Sequence, residues 1–388
     1  MKKDIALCVI AITALGFAAY SGCLDNKFVW DDHLLVRDNS LVRSWSNAPR
    51  IFTENVGHGP GGSFVLYRPV QMLSYLVDHS VFRFDVRGYH LTSIIIHILA
   101  SLALFWLILT LFRDAALAFI TALLFVVYPA HTEAVAYISG RADLLTALFV
   151  FLALTFYAKD RPAAAVTTYI LALFSKEYAM IFPILVLAYH GIFRVKIRRR
   201  AVIWILAAIT VFYAALRLIL CKSLASGLSS PGSAFERVPG FFAAIAGYVK
   251  ILVLPLGLHM EYGSPVFDIG DPLTVLGMLT TAALAAVWYG RRRDPVIRFA
   301  IPWFFLTLLP VSNIYPINAY MAEHWLYVPS VGFFLVTALG VESLYKQAKY
   351  RTAAISALCA LIGWYAFLTA SQNSYWKDPV EFYSRTIK

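Results

Sequence analysis

The sequence predicts an all-α polytopic membrane protein. Three observations carry that expectation. Of the 388 residues, 60% are hydrophobic and only 14% are Asp, Glu, Lys or Arg, against about 45–50% and about 25% in an ordinary soluble domain. Twelve apolar runs follow one another along the chain. The 33 basic residues outnumber the 22 acidic ones, for a net charge of +11, and many of them gather in short clusters between the runs. This composition excludes a disordered chain and a coiled coil. A basic surplus often marks a nucleic-acid partner, but here its placement follows the apolar runs, and no nucleic acid is implied.

A membrane-crossing helix needs about 20 mainly apolar residues. The runs are 5–21, 91–112, 115–128, 144–158, 162–174, 177–193, 201–221, 241–257, 272–289, 296–312, 329–345 and 352–370. The first follows Lys2-Lys3 and could be a signal peptide, and Ser21-Gly22-Cys23 resembles a lipoprotein cleavage site. The many later spans favour a first span that stays in place. The short runs 115–128 and 162–174 suit spans whose ends are covered by neighbours. Basic clusters mark the cytoplasmic side. Lys2-Lys3 place the N-terminus inside, Arg194 to Arg200 mark the loop after six crossings, and Arg291-Arg292-Arg293 the next inner loop. That parity requires run 241–257, with Lys250, Pro255 and polar flanks, to be a re-entrant or interfacial segment.

About eleven crossings remain. The chain then reads as one transmembrane domain, 1–370, with a large first extracytoplasmic loop, 22–90, an outer loop, 222–271, and an extracytoplasmic tail, 371–388. The inner loops sum to +12 and the remainder to −1, with 17 of the 22 acids on the outer side. Carboxylate chemistry is expected on that face, in a bacterial inner membrane.

Several chemistries are not signalled. No Gly-rich phosphate loop follows a strand, so a nucleotide-dependent enzyme is not expected. The cysteines Cys8, Cys23, Cys221 and Cys359 form no disulfide or metal pattern. His90 and His97 lie seven apart, two helical turns on one face, and read as a buried, satisfied pair more than as ligands. His131-Thr132-Glu133 is no metal motif either. Neither a metal nor a cofactor is expected.

The outer segments carry the candidate chemistry. Near the start of the first loop stands Phe28-Val29-Trp30-Asp31-Asp32-His33. Two readings fit the acidic pair. It caps a helix N-terminus, or it supplies a general base raised in pKa by a like charge and apolar surroundings. Tyr67-Arg68-Pro69 follows in the same loop. Glu133 and Tyr137 are four apart and would share a helix face. Arg141 and Asp143 stand at the entrance of the next span, where they either pair with each other or face a substrate. Ser175-Lys176-Glu177 sits between two apolar runs, where ionisable groups are costly; a snorkelling Lys176 paired with Glu177 is the plainer alternative. Glu323-His324-Trp325-Leu326-Tyr327 enters a later span, or forms an interfacial aromatic belt. Together these segments offer carboxylates plus Arg68, Arg141 and Lys176 beside apolar spans. A lipid-phosphate substrate needs that combination: fixed cations for its head and an apolar groove for its tail.

At these residues the chain resembles the GT-C integral-membrane glycosyltransferases, in which an acidic pair follows the first crossing. More closely, it resembles the transmembrane and tetratricopeptide-repeat protein O-mannosyltransferases and their bacterial relatives. The resemblance rests on Asp31-Asp32, Tyr67-Arg68-Pro69-Val70, Tyr89-His90-Leu91 with His97, His131-Thr132-Glu133-Ala134-Val135 with Gly140-Arg141-Ala142-Asp143, Ser175-Lys176-Glu177, and Glu323 with Leu326-Tyr327-Val328-Pro329-Ser330, in order over 28–385. It implies a GT-C fold, a polyprenyl-phosphate-linked sugar donor, mannose in the animal members, and transfer to Ser or Thr hydroxyls of an extracytoplasmic protein. By carry-over Asp31 is the catalytic base and Asp32 the supporting acid. Arg68, Arg141, Lys176 and His324 are the donor-phosphate contacts, with His131, Glu133, Asp143, Glu177, Glu323 and Tyr327 in support. His324 stands where the family has Arg, and would act as a cation only when protonated. Trp376-Lys377-Asp378-Pro379 with Phe382-Tyr383 resembles the segment leading into the repeats, but no 34-residue helical repeat occurs within the 388 residues. Two other functions compete: a GT-C transferase with a lipid or glycan acceptor, and a transporter of lipid-linked sugar. A transporter would place charges near the bilayer midplane between two similar halves, whereas here the acids sit at span ends.

Overall fold

A computed structural model describes residues 2–61, 66–222, 234–263, 265–314, 317 and 319–386, leaving aside the side chains of Lys2, Lys3 and Ala234. The orientation signal of Lys2-Lys3 and the last two tail residues therefore lie outside the description. Among the described residues there is no strand. The helices are α1 (Lys2–Tyr20), α2 (Ala48–Thr53), α3 (Pro69–Phe82), α4 (Val86–Phe112), α5 (Ala115–Val126), α6 (Thr132–Ala136), α7 (Arg141–Ala158), α8 (Pro162–Ser175) and α9 (Phe182–Phe193), followed by α10 (Arg200–Cys221), α11 (Ala234–Val253), α12 (Pro272–Arg291), α13 (Pro295–Leu308), α14 (Ser330–Tyr345), α15 (Arg351–Asn373) and α16 (Pro379–Thr386).

Eleven of the twelve apolar runs lie in a helix or a helical pair to within two residues, the exception being run 241–257, whose helix ends at Val253, and the starts are written locally. Asp114 accepts from the amides of Ala116 and Leu117 at 3.0 Å, capping α5. Asp294 does the same for Val296 at 2.8 Å, ahead of Pro295 at the first position of α13. Among the described residues, six helical segments are long and apolar enough to cross a membrane, seven if the bent pair Ala115–Val126 and Pro129–Ala136 counts as one span. Shorter apolar helical segments cover Pro162–Ser175, Glu177–Phe193, Pro295–Val311 and Ser330–Tyr345. Helix α11, which holds residues 241–253 of run 241–257, is not among the candidate spans, carries Glu236 and Lys250, and ends before Pro255. The molecule is an integral multi-pass membrane protein.

The core is built by α4, α5, α7, α13 and α14, with α1 and α15 along one side. Its centre is a break. Between α5 and α6 the axis bends by 57° at Pro129, which has no amide hydrogen to give. The regular i to i+4 ladder is interrupted there, which is costly inside a membrane protein. Phe125 O and Tyr128 O keep short-range amides from Tyr128 and His131, and side chains reach all four carbonyls of 125–128. His131 Nδ1 donates to Phe125 O at 3.0 Å and His97 Nε2 to Val126 O at 3.0 Å. Thr369 Oγ1 donates to Val127 O at 2.7 Å and the Tyr20 hydroxyl to Tyr128 O at 3.3 Å. A carbonyl can only accept, so these imidazole nitrogens carry the protons. His97 Nδ1 in turn faces the Tyr327 hydroxyl at 2.6 Å. His97, His131 and Tyr327 are therefore structural ties around the break.

The first loop forms a second, smaller core from Leu35, Val36, Leu41, Ile51, Met72, Tyr75, Leu76 and Tyr89, closed by Ile138 from the turn after α6. That turn is pinned on both sides. Tyr75 OH donates to Ile138 O at 2.8 Å and Gln71 Nε2 to Ser139 O at 2.9 Å. The loop and the turn thus hold each other, and the acidic pair lies between them.

Candidate functional site

The acidic pair does not cap a helix: the helical turn His33–Arg37 starts directly after Asp32 and receives no side-chain bond from it. Asp32 is fully buried. Its Oδ1 accepts from Ser139 N at 2.8 Å and Ser139 Oγ at 2.6 Å, and its Oδ2 from Val29 N at 3.2 Å. Burial pushes Asp32 up to about 7, against the pull of the Ser139 and Val29 donors. Asp31 is half-buried. Burial raises its pKa as well, while the Tyr137 hydroxyl and the Arg68 charge hold it down. Asp32 is thus tied into the fold, and Asp31 stays half-buried. Trp30, the residue before the pair, adopts the left-handed conformation at φ 49°, which costs a bulky side chain about 1–3 kcal/mol.

Beside the pair lies a network of ion pairs. Arg68, at the start of α3, grips Glu177 in a fork, Nε to Oε2 at 3.1 Å and Nη2 to Oε1 at 2.8 Å. Arg217, from α10, reaches the same carboxylate at 3.1 Å. Lys176 Nζ lies 2.7 and 2.8 Å from the two oxygens of Asp143. The sequence-adjacent pairs are thus not the ones that form. Lys176 does not pair with Glu177, nor Arg141 with Asp143. Arg68 and Lys176 keep a small exposed edge, 9% and 7%.

Arg141, expected at the donor phosphate, is instead wholly buried. Its guanidinium meets Asp78 Oδ2 at 2.6 Å, Tyr89 O at 2.8 Å, Ser74 Oγ at 3.1 Å and Ser93 Oγ at 3.3 Å, with its charge 4.7 Å from the Tyr75 ring centre. These bonds tie α7 to α3 and α4. Glu133 and Tyr137 do not share a helix face, because α6 ends at Ala136 and Tyr137 is extended. Tyr137 turns to Asp31, whose amide donates to its hydroxyl at 3.2 Å. Glu133 turns to His324, accepting from its backbone N at 2.8 Å with Nδ1 at 2.6 Å. Glu323 is buried, and Oε1 takes bonds from His259 N at 2.6 Å and Tyr262 OH at 2.7 Å. Burial and the neighbouring Glu133 raise its pKa well above the usual carboxylate range.

The structure therefore gathers Asp31, Arg68, Lys176, Asp143 and Glu177 into one group and Glu133, Glu323 and His324 into a second. Among the described residues, no group of three or more His, Cys, Asp or Glu is placed to hold a metal ion. Sequence reasoning missed Arg217, Asp78 and the stacking partner of Tyr137. For Arg217 a signal existed, a single arginine inside the apolar run 201–221. Asp78, on a loop helix among other polar residues, gave none.

No family model matches the chain. A Caenorhabditis elegans protein O-mannosyl-transferase is 25% identical over 411 residues, covering 97% of this chain and 57% of the relative. The Homo sapiens protein O-mannosyl-transferase TMTC3 is 22% identical over all of this chain and 47% of its own length. TMTC1 of Homo sapiens reaches 38% identity over 36% of this chain and 17% of its own length. The chain spans about half the length of the first two relatives. In fold it is similar to an archaeal oligosaccharyltransferase of Archaeoglobus fulgidus solved with an inhibitory peptide and a dolichol-phosphate, with TM-score 0.54 and 14% identity over 95% of this chain and 56% of that one. A second Archaeoglobus fulgidus structure, tethered with an acceptor peptide, gives 0.56 and 16% over 96% and 55%. The fold is of the GT-C type.

Proposed function

We propose that the protein transfers a hexose, mannose, from a polyprenyl-phosphate donor to Ser or Thr hydroxyls of extracytoplasmic proteins, with inversion. The observation that carries this reading is the half-buried Asp31 carboxyl near Arg68, which keeps an exposed edge in a network that includes Lys176, beside an apolar helix bundle. Support comes from the similarity to protein O-mannosyl-transferases and from the fold shared with an enzyme solved with a dolichol-phosphate. Asp31 takes the proton of the acceptor hydroxyl, whose oxygen attacks the anomeric carbon. The bond from that carbon to the phosphate oxygen breaks, and the polyprenyl phosphate leaves with the electron pair. Arg68, backed by Arg217, and Lys176 stabilise the leaving phosphate. Asp32 holds the loop in place, and Arg141 anchors α7 behind it. His324 joins the second group with Glu133, with its exposed edge toward the donor. In this reading the acids face the outside of a bacterial inner membrane and the N-terminus faces the cytoplasm.

A general base contributes about 10²–10⁴ in rate. Asp31→Asn is therefore expected to retain donor binding and lose transfer by that order. The assay uses membranes, labelled polyprenyl-phosphate-mannose and either a Ser/Thr peptide or a lipid acceptor, with mass spectrometry of the products. Native-rate transfer by Asp31→Asn removes Asp31 from the mechanism. Labelled lipid in place of labelled peptide reassigns the acceptor, and donor movement across vesicles without any product makes the protein a transporter.

A further inference from the structure

We propose that the C-terminal segment 373–386 is a positioning element of the acid site, acting through Tyr137 and Trp30 to hold the Asp31 carboxylate in its reactive geometry. The proposal rests on the reading of Asp31 as the transfer base. The segment is more than 340 residues away in sequence from the acidic pair, yet it meets the loop at successive points. Asn26 Nδ2 donates to Asn373 O at 3.0 Å and Lys27 N to Lys377 O at 2.9 Å. The Trp30 ring stands on Phe382 at 5.7 Å and on Tyr383 at 5.9 Å. Asp31 donates its amide to the Tyr137 hydroxyl, and the Tyr137 ring stacks on Trp376 at 5.2 Å and 19°. Trp376 is itself wedged against Phe382 at 5.3 Å.

Two features mark this as more than packing. A left-handed tryptophan persists only where its surroundings over-determine it, and the aromatic side chains of the tail are what Trp30 leans on. The indole N–H of Trp376 is buried without a hydrogen-bond partner, so Trp376 contributes ring surface alone, and that surface faces Tyr137. The Tyr137 hydroxyl, which accepts from the Asp31 amide, also holds the Asp31 carboxyl down against the effect of burial. Taking that hydroxyl away favours the protonated acid, so the base becomes available only at higher pH.

The test needs no substrate in its first arm. A hydrophobic carbodiimide modifies a carboxyl in its protonated form, and mass spectrometry reads the pH midpoint of Asp31 modification in the full chain. Tyr137→Phe keeps the stacked ring, and its midpoint is expected to rise by about one pH unit. Trp376→Ala is expected to shift it in the same direction, while Trp376→Phe restores it. In the second arm, transfer by Tyr137→Phe and Trp376→Ala is expected to fall about ten-fold or more in kcat with donor KM unchanged. The acid limb of the rate moves up with the midpoint. An unmoved midpoint in both variants overturns the proposal, as does a kcat loss that Trp376→Phe fails to repair. Because the midpoint is read without turnover, a protein that transfers no mannose sinks the functional reading and leaves the positioning claim to be judged on its own.

Discussion

Two neighbouring aspartates do different work because their surroundings differ. Asp32 has its oxygens spent on two backbone amides and a hydroxyl, so it orders the loop and cannot approach a substrate. Asp31 has one hydroxyl and one cation in its surroundings, and retains exposure. The arginines divide similarly. Arg68 presents an edge, whereas Arg141 is 0% exposed and committed to Asp78. Removing one partner of a buried ion pair costs about 3–5 kcal/mol. Arg141→Ala is accordingly expected to lower the melting temperature sharply in detergent, along with expression. Arg68→Ala is expected to show its main effect as a lowered kcat for transfer, with Glu177 still held by Arg217. Equal thermal stability of Arg141→Ala and the parent protein contradicts the anchoring role.

At the scale of elements, the turn between α6 and α7 decides where the site residues go. It delivers Tyr137 to Asp31, Ser139 to Asp32 and Arg141 to Asp78 within five residues. The turn is tight because Gly140 has no side chain. A β-carbon there would stand 2.7 Å from Glu133 O and 2.9 Å from Ala134 Cα. These are backbone atoms, so Gly140→Ala must displace the turn. The variant is expected to lose transfer and melt at lower temperature, both checked on the same detergent preparation, although the alanine itself touches no substrate. Much at this scale was legible in advance. The apolar runs became helices because run length and flanking caps are local signals. The acidic pair stood out because a bilayer leaves carboxylates few places. What stayed hidden were the partners. Lys176 lies beside Glu177 in sequence but points across to Asp143, and Glu133 diverges from Tyr137 because α6 stops after one turn. Such choices depend on how distant helices meet, which local periodicity does not encode.

For the whole molecule, the charge asymmetry sets the orientation to be tested. Helix α7 begins at the buried Arg141, behind the acid site, and ends next to Lys159, so the two ends are separated by the length of a span. In a cysteine-free background, Asp268→Cys is expected to react with an impermeant maleimide from outside intact cells, and Arg292→Cys only after permeabilisation. The reverse pattern inverts the topology. The break at Pro129 has a temporal meaning as well. Its carbonyls are served by Tyr20 from the first helix, His97 from the fourth and Thr369 from near the end of the chain. Translation delivers these donors far apart in time. Until residue 369 leaves the ribosome, the Val127 carbonyl lacks the hydroxyl that serves it, and until residue 376 follows, Tyr137 has nothing to stack on. A nascent chain therefore holds its acidic pair more than 340 residues before the segment that packs against it has been made.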